Sequence, residues 1–109
     1  MDLDTFQKKA MKTAIYPNKG NNLIYPTLGL VGEAGEVAEK VKKMLRDDGG
    51  EISKQKKEEL IKELGDVLWY VSGVAYELKT TLSEVVKVNM EKLSSRKIRN
   101  KLQGSGDNR

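Results

Sequence analysis

Hydrophobic residues recur at helical spacing along almost the whole chain, in four runs separated by polar or glycine-rich breaks. Leu3, Phe6, Ala10 and Ala14 form the first stripe, behind Asp2 or Asp4 as a cap, and Tyr16-Pro17 is expected to end that helix. After the polar loop Asn18 to Asn22, Pro26 opens a second helix whose stripe is Leu30, Ala34, Val37, Val41 and Met44, stopped by Asp47-Asp48-Gly49-Gly50. A third helix runs from about Ser53 to Lys79 and carries Leu60, Leu64, Val67, Val71, Val74 and Leu78. Thr81 with Glu84 three residues later fits a capping box for a fourth helix, which fades near Arg96. Nothing alternates like a strand. The pattern predicts an all-α fold of four helices built on an antiparallel hairpin, with one domain over residues 1–103 and a flexible tail over 104–109 that has no apolar anchor.

The third helix is apolar over a wide arc, because Trp69 and Tyr76 fall about 130° from Leu64. Two of its sides need cover, and a chain of 109 residues has little left to supply it, so a homo-oligomer is expected.

Composition narrows the chemistry. Cysteine and histidine are absent, which excludes disulfides, thiolate nucleophiles, Ser-His-Asp triads and zinc sites needing nitrogen or sulfur; any metal must be held by oxygen. The 20 Lys and Arg against 16 Asp and Glu give a net charge of +4, spread along the chain rather than gathered, so no nucleic-acid partner is expected. No apolar run is long enough to span a bilayer and the N-terminus has no signal-like segment, so the expectation is a cytoplasmic protein without a membrane partner.

Two acidic pairs stand out, Glu33 with Glu36 and Glu63 with Asp66, each at i, i+3 on its helix. Glu33 and Glu36 fall at about 300° and 240° from Leu30; Glu63 and Asp66 fall at about 260° and 200° from Leu64, so both pairs flank an apolar stripe on the same side. In an antiparallel hairpin, residues equidistant from the turn lie level. Glu33 with Asp66 and Glu36 with Glu63 are each symmetric about Gly49-Gly50, so four carboxylates should meet at one height. Four such anions must be protonated, paired with Lys or Arg, or bound to a hard cation. A solvated acidic face with Glu36 paired to Lys40 is the plain alternative, and the symmetry favours a cation, Mg²⁺ or Mn²⁺.

Gly29, Gly32 and Gly35 step along the second helix at a cost of about 1 kcal/mol each relative to alanine, which suggests close approach by a helix or a ligand. On the fourth helix Asn89, Lys92 and Arg96 share a face. Asn89 falls among Leu82, Val85, Val86 and Leu93, where its amide needs either a structural hydrogen bond or a ligand such as phosphate.

The segments Gly32-Glu33-Ala34-Gly35-Glu36-Val37-Ala38-Glu39 and Glu63-Leu64-Gly65-Asp66-Val67-Leu68-Trp69-Tyr70, with Asn89-Met90-Glu91-Lys92-Leu93 and Arg96 downstream, strongly resemble the MazG-like all-α nucleoside triphosphate pyrophosphohydrolases, in a compact single-domain form. The resemblance covers roughly Leu28 to Arg96, and an ExxE, a 26-residue gap and an ExxD form a specific combination. It implies a four-helix MazG-like bundle completed by assembly into homodimers or homotetramers. The implied reaction is cleavage of a nucleoside triphosphate to the monophosphate and pyrophosphate with Mg²⁺, with nucleotide-pool housekeeping as one role. Carried over by position, Glu33, Glu36, Glu63 and Asp66 would be metal ligands, and Asn89, Lys92 and Arg96 would bind phosphate. The metal would polarise the phosphates while Glu36 or Glu39 orients the attacking water. Tyr70 would border the site, Trp69 would stack on a base in a neighbouring subunit, and Phe6 or Gln7 would arrive from the first helix. One departure is Gly32, where many members carry a further Glu.

The competing reading is a non-catalytic helical oligomerisation or partner-binding module whose acidic pairs are structural. A di-iron carboxylate bundle usually draws on Glu-x-x-His, and this chain has no histidine.

Overall fold

A computed structural model describes residues 1–109. Four helices follow in chain order: α1 (Leu3–Lys12), α2 (Ile24–Asp47), α3 (Lys54–Glu77) and α4 (Leu82–Ile98). There is no strand. The helix starts are locally written: Asp2 accepts from the Thr5 amide, Ser53 from Lys56 and Thr81 from Glu84, each satisfying a donor that the first turn leaves free. Two boundaries differ from the periodicity. α1 stops at Lys12, so Ala14 is buried from an irregular segment rather than from a helical stripe. α2 begins two residues before Pro26, with the Asn22 side chain accepting from the Tyr25 amide; Pro26 sits in the first turn, where no N–H is needed.

The dominant packing is α2 against α3. Gly49 (φ 63°) and Gly50 (φ 82°) make the turn between them in a backbone region that side chains disfavour, and the Gly50 amide closes onto the Met44 carbonyl. The hairpin keeps one register over its length. Pro26 meets Gly73, Gly29 meets Tyr70 and Lys40 meets Glu59, and the numbers of each pair add to 99. The close approach explains Gly73, where a Cβ would lie 3.0 Å from Pro26.

α3 is turned from the orientation its aliphatic stripe suggested. Leu64 and Leu78 are exposed, whereas Glu63 and Tyr70 are partly buried. The wide apolar arc allowed this, because α2 covers the Tyr70-Gly73 side and α1 covers the side carrying Trp69 and Tyr76, leaving the Leu64 sector open. Ala10, Met11, Ala14 and Tyr16 form the small core under α1, with Phe6, Trp69 and Tyr76 against it.

α1 also holds the start of α4. The buried Gln7 donates from Nε2 to the carbonyls of Ser72 and Thr80 and accepts at Oε1 from the Leu82 amide, while Asp4 accepts from the amide and hydroxyl of Ser83. Beyond that anchor α4 is little covered: Val85, Val86, Val88 and Met90 are exposed, and α4 makes no contact with α2. Only 12 of the 109 residues are buried.

Candidate functional site

The hairpin register places the acidic pairs where the two long helices face each other. One carboxylate oxygen each from Glu33, Glu63 and Asp66 lies within 4.8 Å of the others, with Glu33 and Glu63 partly buried and Asp66 exposed. Glu36 is exposed and stays outside that trio, although its charge still acts on Glu33. Desolvation, then a hydrogen bond to Glu63 and the charges of Asp66, Glu63 and Glu36 hold the Glu33 carboxyl above its ordinary value.

Little positive charge answers this cluster. Lys40 does not pair with Glu36; its Nζ reaches across the hairpin to Glu59 at 4.0 Å and Glu63 at 3.9 Å, while Glu33, Glu36 and Asp66 have no ion pair. Of the three ways to settle four neighbouring carboxylates, neutralisation by lysine is therefore the one the fold leaves largely unused. An all-oxygen, net-negative set of this kind suits a hard divalent cation that keeps waters or substrate oxygens in its other positions. Glu39 faces elsewhere: Lys42 at 2.8 Å and Lys43 at 3.6 Å on its own helix engage it, and the Lys42 hydrogen bond first of all holds its carboxyl below the usual range.

A cavity of about 300 Å³ opens beside the trio, lined by Glu33, Asp66, Trp69 and Tyr70. Both aromatics thus border the carboxylates within one chain. Their rings meet edge to face at 4.9 Å, and the Trp69 indole N–H donates to the Thr13 hydroxyl at 2.8 Å, which fixes the ring from the segment after α1. Tyr70 lies over Gly29 so closely that a Cβ there would fall 2.1 Å from its ring. The glycine signal was legible in the sequence, and its partner was not. Burial first, then Tyr25, Glu33 and Asp66, raises the Tyr70 hydroxyl's pKa. Gln7 is committed to holding α4, and Phe6 packs against the α1 core. A larger hollow of about 650 Å³ lies between the start of α1, Leu68 and Ser83 and gathers no comparable set of carboxylates or cations.

Asn89 and Lys92 lie on the open side of α4, where they line a shallow cavity of about 350 Å³ with Thr80, Glu84, Val85 and Val88. Asn89 is exposed rather than set in an apolar stripe, because nothing in the chain covers that face. Lys92 and Arg96 reach no carboxylate of the hairpin; both are engaged by Asp107 of the C-terminal segment. A free tail is what the sequence predicts there, since a charged residue in a polar segment has no periodicity to betray a partner.

The sequence model of the MazG nucleotide pyrophosphohydrolase domain matches residues 25–99, which takes in α2, α3 and α4 but leaves out α1. The Gene 37 protein of Mycobacterium phage L5 is 52% identical over 114 residues, an alignment that covers 100% of both chains. No solved structure shows a significant match.

Proposed function

The chain belongs to the MazG nucleotide pyrophosphohydrolase family, and from that premise we propose that it hydrolyses a nucleoside triphosphate to the monophosphate and pyrophosphate with Mg²⁺, or Mn²⁺ in its place. The observation that carries this reading is the convergence of Glu33, Glu63 and Asp66 from facing helices with almost no basic countercharge. That donor set fits a divalent cation. Glu33, Glu63 and Asp66 would hold it, with Glu36 beside them. When bound, the cation supplies charge neutralisation and polarisation of the triphosphate.

The chain's own residues do the rest. Glu36, exposed and without an ion pair, is free to accept a proton from water and orient it toward the α-phosphorus; Glu39, engaged by Lys42 and Lys43, is less suited to that work. Lys92 and Arg96 bind phosphate oxygens, with Asn89 beside them on the same helix face. Trp69 and Tyr70 wall the cavity and offer aromatic surface to a base.

A homodimer or homotetramer is part of the reading. α2 and α4 do not touch, so one chain does not join the Asn89-Lys92 face to Glu33. A second copy would supply that face and cover exposed Ile61, Leu64 and Leu68 on α3 and Leu28 and Val31 on α2. No helix is long and apolar enough to cross a membrane.

The test is incubation of the purified chain with canonical and modified nucleoside triphosphates and Mg²⁺, separating nucleotide products and distinguishing pyrophosphate from orthophosphate. The expected outcome is monophosphate plus pyrophosphate, lost in Glu36→Gln and Asp66→Asn. No turnover with any nucleotide under Mg²⁺ or Mn²⁺ would transfer the reading to a helical interaction module with structural acidic pairs.

A further inference from the structure

The C-terminal segment folds back on the end of α4 through polar contacts. The Asp107 Oδ1 lies 3.0 Å from Lys92 Nζ and 3.5 Å from an Arg96 terminal nitrogen, which also donates to the Asp107 carbonyl at 2.6 Å. Arg109 completes the fold by donating to the carbonyls of Lys101, Leu102 and Gly106.

Two features distinguish this cluster from an ordinary surface pair. Arg96 is only 5% exposed, and its buried Nε has no hydrogen-bond partner, so the guanidinium is held in place with a donor unspent. One carboxylate oxygen also serves two cations, where a phosphoryl group would offer three acceptor oxygens. The occupant, by contrast, is loosely held. The Asp107 side chain is 83% exposed, and Gly104 (φ 118°) and Gly106 (φ 87°) precede it in a segment without apolar anchor.

We propose that Asp107 is an internal plug of the phosphate site: its carboxylate occupies Lys92 and Arg96 until the polyphosphate of the substrate displaces it. The inference rests on reading Lys92 and Arg96 as the phosphate-binding pair, and it adds a built-in competitor to that site. Displacement removes an ion pair whose carboxylate side is 83% exposed, so the penalty on binding is modest, about two- to fivefold.

The experiment titrates inorganic tripolyphosphate into the unsubstituted chain and into Asp107→Asn by calorimetry without divalent cation, and compares KM and kcat for the preferred nucleotide with Mg²⁺. The substitution keeps the backbone carbonyl and the size of the side chain while removing the charge. Tripolyphosphate binding tighter in the variant by about two- to fivefold, with KM lowered by a similar factor and kcat unchanged, is the expected result. Equal binding by the two chains, weaker binding by the variant as for a lid that completes the site, or binding to neither overturns the plug. Tighter tripolyphosphate binding without turnover of any nucleotide would sink the pyrophosphohydrolase reading and leave the plug standing. Turnover with unchanged tripolyphosphate binding would do the reverse.

Discussion

The chain holds two charged clusters that are settled in opposite ways. In the hairpin, Glu33, Glu63 and Asp66 converge with Lys40 as their one basic neighbour, 3.9 Å from Glu63, and the Glu33 carboxyl is pushed up. At the end of α4, Lys92 and Arg96 converge on Asp107, and the hydrogen bond from Lys92 leads the causes that pull its carboxyl down. The first cluster is left almost without countercharge, which a cation would supply; the second is already partly neutralised by a side chain of the same protein. Rigid packing explains the difference. The carboxylates project from helices held in register by Pro26 on Gly73 and Tyr70 on Gly29, whereas Asp107 sits on a segment free to find its countercharge.

The largest effect should come from removing one anion of the hairpin cluster. Asp66→Asn is expected to lower kcat by roughly 10²- to 10³-fold, as for the loss of several kcal/mol of cation-mediated stabilisation, while Lys92→Ala acts mainly on KM. Similar kcat losses in both variants would erase the division of labour between the clusters. Next comes the link that sets where α4 points. Gln7→Ala leaves the Leu82 amide and the Thr80 carbonyl without their partner and should cost about 2 to 3 kcal/mol in denaturant unfolding. A loss near zero would mean that α4 is placed by something other than α1.

What could be read from the sequence was what depends on neighbours along one helix. The cap at Thr81, the Gly49-Gly50 turn and the register that brings Glu33 to the height of Asp66 all follow from local spacing and symmetry. Which side of a wide apolar arc faces which partner does not. Leu64 anchored the expected stripe of α3 yet is exposed, because α1 and α2 took the flanks bearing Trp69 and Tyr70. Contacts made by single polar groups over long separations, such as Gln7 with Leu82, leave no periodic trace. The carboxylate trio was legible as a set, whereas the exclusion of Glu36 from it depends on side-chain direction that helix arithmetic does not resolve.

The glycines of α2 sharpen the contrast between the locked seam and the open faces. Gly29→Ala drives a methyl into the Tyr70 ring and should destabilise by about 1 to 3 kcal/mol, disturbing the wall of the carboxylate cavity. Gly32→Ala meets nothing within 4 Å and should stabilise the chain by up to about 1 kcal/mol through helix propensity. Sedimentation gives the second readout: if Gly32→Ala weakens self-association while raising helix content, the open stripe is where another copy approaches.

The smallest effect separates stored repulsion from ordinary acidity. Because the folded Glu33 binds its proton more tightly than the unfolded chain does, its contribution to stability is fully present below the ordinary carboxylate value and is lost as pH rises through the raised one. In EDTA, wild type and Glu33→Gln should therefore melt together at acid pH, with the variant melting a little higher near neutrality. Mg²⁺ should reverse that order, since a bound cation stabilises the folded state by mass action and favours the ionised carboxylate that glutamine removes. Asp107→Asn should show the opposite slope: the Asp107 contribution is present above the ordinary aspartate value and is lost as pH falls through the lowered one. Melting curves for the two variants between acid and neutral pH thus test the comparison from both ends, and parallel slopes would mean that the clusters are not the opposites their countercharges make them.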